Sequence, residues 1–201
     1  MKKIFATKGN LISAKKSLSL AKMGYDLMDR KRNVLIREMM ILVDKVKQIR
    51  SSITDSYNQA YYSLQLANLS NGIITNIANQ VPVETEVKVL TRSVMGVEVP
   101  TVIYKPKEIS IAYGFDQSNS QVDEAYVQFQ RVKELTILLA EVDNSVYRLA
   151  NAIRKTQKRA NALKNVVIPD FEMQIREITE VLEEKDREEF TRLKVIKLKK
   201  K

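Results

Sequence analysis

The sequence contains no cysteine, no histidine and no tryptophan, and only five glycines and four prolines among its 201 residues. Without cysteine and histidine the chain cannot form a disulfide framework, a zinc finger, a thiol nucleophile or an imidazole base. So few turn-forming residues argue against an all-β fold, which needs a turn about every 8–12 residues. These absences exclude the enzyme classes that depend on cysteine or histidine.

Long apolar runs are also missing. The longest covers residues 39–43, whereas a helix needs about 20 apolar residues to span a bilayer. The first eight residues contain no apolar stretch of the kind found in a secretory signal peptide. With 34 basic and 24 acidic residues the formal net charge is +10. We therefore expect a basic, mostly helical chain inside the cell, without direct insertion into a membrane.

The turn-forming residues are concentrated in the middle of the chain. Apart from Gly9, Gly24 and Pro169, every glycine and proline lies between Gly72 and Gly114. This distribution predicts one structural unit in three segments. The segments are a coiled-coil helix over 1–76, an insert over 77–116 and a second coiled-coil helix over 117–201.

The first segment carries a heptad repeat. Thirteen positions between Leu11 and Ile53 recur with a period of 3.5, and all are apolar or aromatic except Arg32. Such a repeat indicates a coiled-coil seam. The seam positions are 11, 14, 18, 21, 25, 28, 32, 35, 39, 42, 46, 49 and 53. After Ile53 we expect the stripe to shift by one residue, through Tyr57, Tyr61 and Leu64, before a helix stop at Asn71–Gly72.

The third segment carries a similar apolar stripe from Leu135 to Leu182, in which the spacing between successive positions alternates between four and three residues. After Val167 the next two spacings, to positions 171 and 175, are both four residues. Pro169 lies inside this interruption of the alternation. Proline lacks a backbone donor and clashes with the preceding helical turn. We therefore expect a bend or a local break in the helix at Pro169.

Two heptad helices joined by one insert predict an antiparallel pair, in which residue i lies near residue 192 − i. Residues 1–25 contain six lysines and no acid, whereas their expected partners, 170–189, contain nine acids and three bases. Attraction between these stretches favours the antiparallel arrangement over a parallel two-chain coil. The predicted fold is mainly α: a long antiparallel two-helix coiled coil with a short β-hairpin insert between the helices.

The insert contains the hairpin. Valine and threonine alternate with other residues over 86–92 and again after Met95–Gly96, which predicts two strands joined by a tight turn. Pro100 and Pro106 confine the second strand to a sheet edge. An isolated hairpin is marginally stable in water, so this one must pack on the helices or on a partner.

No motif for catalysis, cofactor binding or metal binding is apparent, so we expect a non-enzymatic protein without a cofactor. The most distinctive charge feature is a run of six bases and no acid over residues 144–169, which we call the basic collar. A second basic group ends the chain, at Arg192, Lys194, Lys197 and 199–201. Nucleic acid, an anionic membrane surface or an acidic protein could each attract such charges.

Four stretches resemble a known family. They are residues 7–11 (TKGNL), 20–35 (LAKMGYDLMDRKRNVL), 159–169 (RANALKNVVIP) and 186–194 (DREEFTRLK). The last two are similar to the patterns N-A-L-x-x-V-V-I-P and E-R-E-E/D-F-x-R-L-K. Together the stretches look like the D subunit of V-type and archaeal-type rotary ATPases, over nearly the whole chain.

This resemblance implies the central rotor shaft of such a complex, cytoplasmic and peripheral to the membrane. It implies contacts with the catalytic and non-catalytic subunits of the hexameric head, with the small F subunit of the stalk, and with the funnel-shaped subunit that seats on the membrane ring. ATP hydrolysis or synthesis in the head would be coupled through the shaft to H⁺ or Na⁺ transport. No nucleic acid partner is expected.

Within this framework six residues are candidates for contacts with partner subunits: Arg154, Lys155, Lys158, Arg159, Lys164 and Pro169. The five cations suit acidic residues lining the head, and a bend at Pro169 suits an eccentric shaft tip. The alternative is a basic helical-hairpin scaffold that binds anionic membrane or nucleic acid by itself.

Overall fold

A computed structural model describes residues 5–105, 113–114 and 118–199 of the chain. In chain order its elements are α1 (Lys8–Asn71), α2 (Thr75–Ala78), β1 (Lys88–Val94), β2 (Val97–Ile103), α3 (Ser120–Ala162), a π-helical turn (Leu163–Val167) and α4 (Ile168–Lys199). The fold is mainly α, with a β-hairpin between two long helical stretches, as the sequence predicted.

Contacts divide the chain into two compact units. The terminal unit combines Met1–Asn33 with Ile153–Lys201, and the central unit is Val34–Ala152. Each unit contains part of α1 and part of the second helical stretch. The hairpin belongs to the central unit, whereas the π-helical turn and α4 belong to the terminal unit.

Two ion pairs show the helix register in the terminal unit. Lys22 contacts Glu172 at 2.8 Å, and Lys8 contacts Asp186 at 3.9 Å. Both acids lie two residues from the positions given by the 192 − i relation, so the predicted attraction between the lysine-rich start and the acidic stretch is confirmed. All four side chains are at least half exposed, so each pair contributes no more than about 1 kcal/mol.

The central unit is antiparallel as well. Arg50 lies 3.6 Å from Asp143, and the hydroxyl groups of Tyr57 and Thr136 are 3.1 Å apart. Each partner lies one residue from its predicted position. The register read from the sequence is therefore correct within both units.

The seam holds the apolar core of each helix pair. All thirteen predicted positions on α1 are buried or half-buried, and so are the fourteen predicted positions between Leu135 and Leu182. Leu35 and Leu149 are the largest fully buried side chains among the described residues. The period of 3.5 in the sequence thus corresponds directly to burial.

The predicted shift of the stripe after Ile53 is wrong. Tyr61 is 52% exposed, whereas Ala60 and Ala67 are fully buried and Ser63 is 8% exposed. These small residues continue the original heptad register to the end of α1. Tyr61 lies beside the seam instead, where its ring packs edge-on against Phe129 with centroids 5.8 Å apart.

The hairpin has the predicted turn. β1 and β2 pair antiparallel from Lys88↔Ile103 to Val94↔Val97, and Met95 and Gly96 between them both have positive φ. Two consecutive residues with positive φ are typical of the type I′ turn, whose twist matches that of the strands. Of the two prolines predicted to confine the second strand, Pro100 lies in β2, and Pro106 lies outside the described residues.

β2 packs against α3, as an otherwise marginal hairpin requires. The Ser145 hydroxyl donates to the Pro100 carbonyl at 3.3 Å, and Arg148 donates to the Glu98 carbonyl at the same distance. Val99 is 3% exposed on this strand, while every β1 residue except Val94 is exposed. The helix therefore covers one strand and leaves the other open.

Beyond α1 the central unit closes around a small apolar cluster. Gly72, with φ +75°, follows α1 and confirms the predicted left-handed stop. Ile77 of α2 and Tyr113 then pack against Ala67 and the start of α3. The Tyr113 hydroxyl donates to Asp123 at 2.6 Å. Burial, followed by this bond to a carboxylate, raises the pKa of Tyr113 well above its usual value.

The corrected seam register predicts at which small residues of α1 a larger side chain destabilises the protein. Replacing Ala60 with leucine should lower the free energy of unfolding by about 1–3 kcal/mol, because the seam has no room for the larger side chain. Ala150→Leu, at an exposed position of α3, is the matched control and should change it by less than about 0.5 kcal/mol. Urea unfolding followed by circular dichroism measures both. Equal effects would mean that Ala60 does not lie in a packed seam.

Candidate functional site

Five of the six cations of the basic collar belong to the terminal unit, and the sixth, Arg148, belongs to the central unit, where it donates to the Glu98 carbonyl. Arg154, Lys155, Lys158 and Arg159 are on α3, and Lys164 is in the π-helical turn. All five side chains are exposed. The structure therefore brings four of these five cations onto one outward side of α3, whereas Lys164 lies apart from them in the π-helical turn.

Helix geometry explains their orientation. Thr156 and Ala160 are seam positions and are 6% and 1% exposed. The pairs 154/158 and 155/159 are each four residues apart, so each pair lies along one face of the helix, away from the seam. The heptad register that buries small residues thus directs four cations to solvent.

The four collar cations on α3 that belong to the terminal unit have no acidic neighbour close enough to pair with them in the described part of the chain. Within the ranges that the structure describes, Arg154, Lys155, Lys158 and Arg159 form no ion pair with an acid. The sequence between positions 144 and 169 contains no acid at all. Lys164 differs, because its ammonium lies 5.8 Å from the centre of the Tyr25 ring, within the range of a cation–π interaction.

One acid of α1, Asp29, already has a partner within the terminal unit. Its carboxylate lies 2.7 Å from the guanidinium of Arg32, and the same guanidinium donates a hydrogen bond to Gln157 of α3 at 2.8 Å. Gln157 in turn donates to Asn161 at 2.8 Å. Arg32, the one charged residue in the predicted seam, is therefore satisfied within the terminal unit. Because Asp29 pairs with Arg32, it does not pair with a collar cation, and those cations can bind a partner.

The expected irregularity near Pro169 is a change of hydrogen bonding. Residues Leu163–Val167 form a π-helical turn, and the Ile168 amide donates to the Leu163 carbonyl five residues earlier. Pro169 follows as the second residue of α4, and its side chain is exposed. The helix therefore continues through this region with one wider turn. Proline favours such a turn because it has no amide to complete the normal pattern.

The π-helical turn also explains the interrupted stripe. A π turn contains one residue more than an α turn. The extra residue of the turn at Leu163–Val167 moves the next seam positions to Phe171 and Ile175, and both are half-buried. The two successive four-residue spacings after Val167 in the sequence therefore reflect this extra residue.

The basic end of the chain is exposed too. All described residues after Leu182 are exposed, including Arg192, Lys194 and Lys197. Lys200 and Lys201 lie outside the described residues. Phe190 is 71% exposed in this stretch, so the end of α4 presents apolar as well as basic groups.

A cavity of about 410 Å³ in the central unit has no counterpart among the features predicted from the sequence. Apolar residues such as Leu64, Ile77 and Phe129 line it. Lys133 lies at its wall and contacts Glu84 at 2.9 Å. Burial alone lowers the pKa of Lys133, but hydrogen bonds to Glu84 and Tyr104 outweigh it and raise that pKa. The cavity joins residues from α1, α2 and α3, and no periodicity within one helix could indicate it.

The described residues offer no metal site and no membrane span. Across residues 5–105, 113–114 and 118–199 no group of three or more acidic side chains is placed to hold a metal ion. In that same part of the chain no helix is both long enough and apolar enough to cross a bilayer. The described residues form long paired helices with exposed outer faces and a β-hairpin between them, which is the fold class of a coiled-coil hairpin protein.

Comparison with known proteins narrows this class. The family model for the D subunit of ATP synthase matches residues 10–198. The V-type ATP synthase D subunit of Thermotoga neapolitana is 42% identical over 195 residues, 96% of each chain. The A-type ATP synthase D subunit of Pyrococcus horikoshii is 36% identical over 200 residues, 97% of this chain and 94% of the relative. The chain belongs to this family, the D subunits of the rotary ATP synthases.

Proposed function

We propose that this chain is the central rotor shaft of a V-type ATPase. It couples ATP hydrolysis or synthesis in a catalytic head to rotation of a membrane ring, and thereby to H⁺ or Na⁺ transport. The observation that supports this most directly is α1 itself, a 64-residue helix whose seam positions are buried or half-buried in both units. A paired helix resists twisting better than a single one, which suits the transmission of torque.

The shaft acts without catalytic chemistry of its own. A rotor changes the affinities of the catalytic interfaces by presenting different surfaces to them at different angles. It can shift the equilibrium between two conformations of an interface only if it binds one of them more tightly than the other. The part of the chain that the structure describes offers exposed helix faces for this purpose. The proposed partners are the catalytic and non-catalytic head subunits, the small F subunit and the funnel-shaped subunit above the ring.

The terminal unit is the part that enters the head in this proposal. Ala14 and Ala21 occupy its seam and are each 8% exposed. Small seam residues let two helices approach closely, which gives a thin tip suited to a narrow bearing. The collar cations on α3 then face acidic residues of the head, and the π-helical turn before Pro169 is the proposed source of an eccentric tip.

Assembly tests the proposal. The chain should form a stable one-to-one complex with the F subunit from the same organism and, together with the head subunits, a complex that hydrolyses ATP and rotates. Co-expression followed by size-exclusion chromatography and single-particle rotation measures both. A chain that stays free of these subunits, and binds anionic liposomes or DNA by itself, would instead support the helical-hairpin scaffold.

The collar predicts a salt-dependent contact. Reversing Arg154, Lys155 and Arg159 to glutamate should weaken binding to the head by about tenfold at low salt, since each exposed pair contributes about 0.5 kcal/mol. The loss should shrink at high salt, where surface charges are screened. Reversal of Arg187 and Arg192, which already pair with Glu184 and Glu188 on their own helix, is the control. A loss of the same size at every salt concentration would contradict an electrostatic role.

Pro169 predicts an effect on coupling. Replacement by alanine restores a backbone donor at position 169, so the hydrogen bonding around the π-helical turn can rearrange and the tip can straighten, while the extra residue keeps Phe171 and Ile175 in the seam. We expect fewer ions to be moved per ATP hydrolysed in reconstituted vesicles, while assembly is retained. Pro82→Ala, in the central unit, serves as the control. Unchanged ATP-driven pumping in the Pro169 variant would rule out an eccentric tip that depends on this residue.

A further inference from the structure

The rotor role leaves the apolar cavity of the central unit unexplained. Its volume of about 410 Å³ falls within the range of sites that hold small organic molecules, about 300–1,000 Å³. Ala78 and Pro82 line its edge and are exposed, so a molecule can enter from solvent on that side. An apolar space of this size is costly to leave unfilled, because its walls lack the contacts that a packed core provides.

The walls of the cavity are apolar and partly aromatic. Ile77 and Tyr113 are each only 7% exposed. The rings of Tyr113, Tyr126 and Phe129 line the same space, and the first two meet edge to face with centroids 5.6 Å apart. Aromatic rings pack favourably on one another when they are offset or edge to face. These walls therefore suit a flat aromatic ring better than a puckered saturated one.

The charges at the cavity wall cancel. Among the described residues that line the cavity, the charged ones are Lys133 and Glu84. Their ammonium and carboxylate groups lie 2.9 Å apart, and the two side chains are 31% and 18% exposed. A charged ligand would find no unpaired opposite charge here, and burial of a charge without a partner is costly. The cavity therefore favours an uncharged molecule.

One polar group of the wall has no partner within the described part of the chain. The Gln130 side chain is half-buried at the cavity, and its amide makes no hydrogen bond there. An amide offers donors as well as an acceptor, and a partly buried amide gains stability when a partner is supplied. A ligand oxygen is such a partner, because it can accept a hydrogen bond from the amide nitrogen.

We infer that this cavity binds an uncharged, flat aromatic molecule that carries one carbonyl or hydroxyl oxygen. The ring packs among Tyr113, Tyr126 and Phe129, and the oxygen accepts a hydrogen bond from the Gln130 amide. Residues of α1, α2 and α3 all line the cavity, so the ligand joins these three elements. It binds the folded central unit and thereby stabilises it. Such binding is a property of the chain by itself and does not depend on the rotor role.

The test measures binding to the full chain in solution. The probe is prodan, an uncharged naphthyl ketone whose fluorescence rises and shifts to shorter wavelength in apolar surroundings. The chain contains no tryptophan, so the probe can be excited at wavelengths that the protein does not absorb. Val81→Phe, at a half-buried position of the cavity wall, places a ring in the space. Val83→Phe, at a position that is 86% exposed, is the matched control.

The wild-type chain should bind prodan in a one-to-one ratio and should melt at a higher temperature in its presence. Val81→Phe should weaken binding by about tenfold or more, because the new ring takes the space of the ligand. Val83→Phe should stay within about twofold of the wild type. Thermal melting without the probe checks that both variants fold.

Competition with prodan tests the chemistry of the ligand. Four competitors of similar size are acetylnaphthalene, its saturated counterpart acetyldecalin, ethylnaphthalene without oxygen, and the anion naphthoate. Acetylnaphthalene should bind about tenfold more tightly than naphthoate, whose charge would be buried without a partner, and more tightly than acetyldecalin. Gln130→Leu should lower the preference for acetylnaphthalene over ethylnaphthalene by about fivefold, which corresponds to one hydrogen bond. This last comparison remains decisive if Val81→Phe fails to fold.

Several outcomes overturn the inference. If prodan does not bind, or binds Val81→Phe as tightly as the wild type, the cavity is not the site. Tighter binding of naphthoate than of acetylnaphthalene would mean that Lys133 selects an anion. Equal binding of acetyldecalin would contradict the aromatic preference. An unchanged preference for acetylnaphthalene in Gln130→Leu would show that the amide does not hold the ligand oxygen.

Discussion

The heptad seam is the constraint on which the other features of this chain depend. Two helices can bury only the narrow strip where they face each other, so most of each helix surface remains in water. Only Leu35 and Leu149 are large side chains that are completely buried in the described residues. A core this thin leaves little room for an enclosed active site along the paired helices, but it fixes which side chains point outward. The outward position of the collar cations on α3 follows from it.

The sequence predicted the seam well wherever the heptad spacing stayed regular, at small residues such as Ala14 and Ala21 as well as at large ones. The prediction failed after Ile53 because side-chain size is a poor guide to burial in so narrow a core. Tyr61 has more apolar surface than Ala60, yet the alanine lies in the seam, since close helices accept a small residue there and the ring can pack at the side. The cavity of the central unit could not be predicted for a different reason. Its walls come from separate elements, and a pattern within one helix does not show which elements meet.

The interruption near Pro169 was visible in the sequence, but its cause was not. A phase shift of one residue shows that an extra residue must be accommodated. Whether the helix bends, breaks or widens depends on how the backbone carbonyls before the proline find donors. Similarly, the sequence identified the collar cations but could not show which acids were already taken. Asp29 and Arg32 are an i,i+3 pair that helix spacing allows, but only the folded chain shows that the same guanidinium also donates to Gln157 of α3.

Weak, exposed contacts are well suited to a part that rotates. A shaft held by one deeply buried group of residues would stay at the angle where that group fits, since its release would cost several kcal/mol. Exposed cations contribute about 1 kcal/mol or less each, and half-exposed apolar side chains contribute comparably modest amounts. Contacts of this size can favour one angle over another and still be broken at each step. The shallow energies of exposed contacts such as the collar cations are therefore consistent with their proposed use, because torque requires contact energies that vary with angle without a minimum too deep to leave.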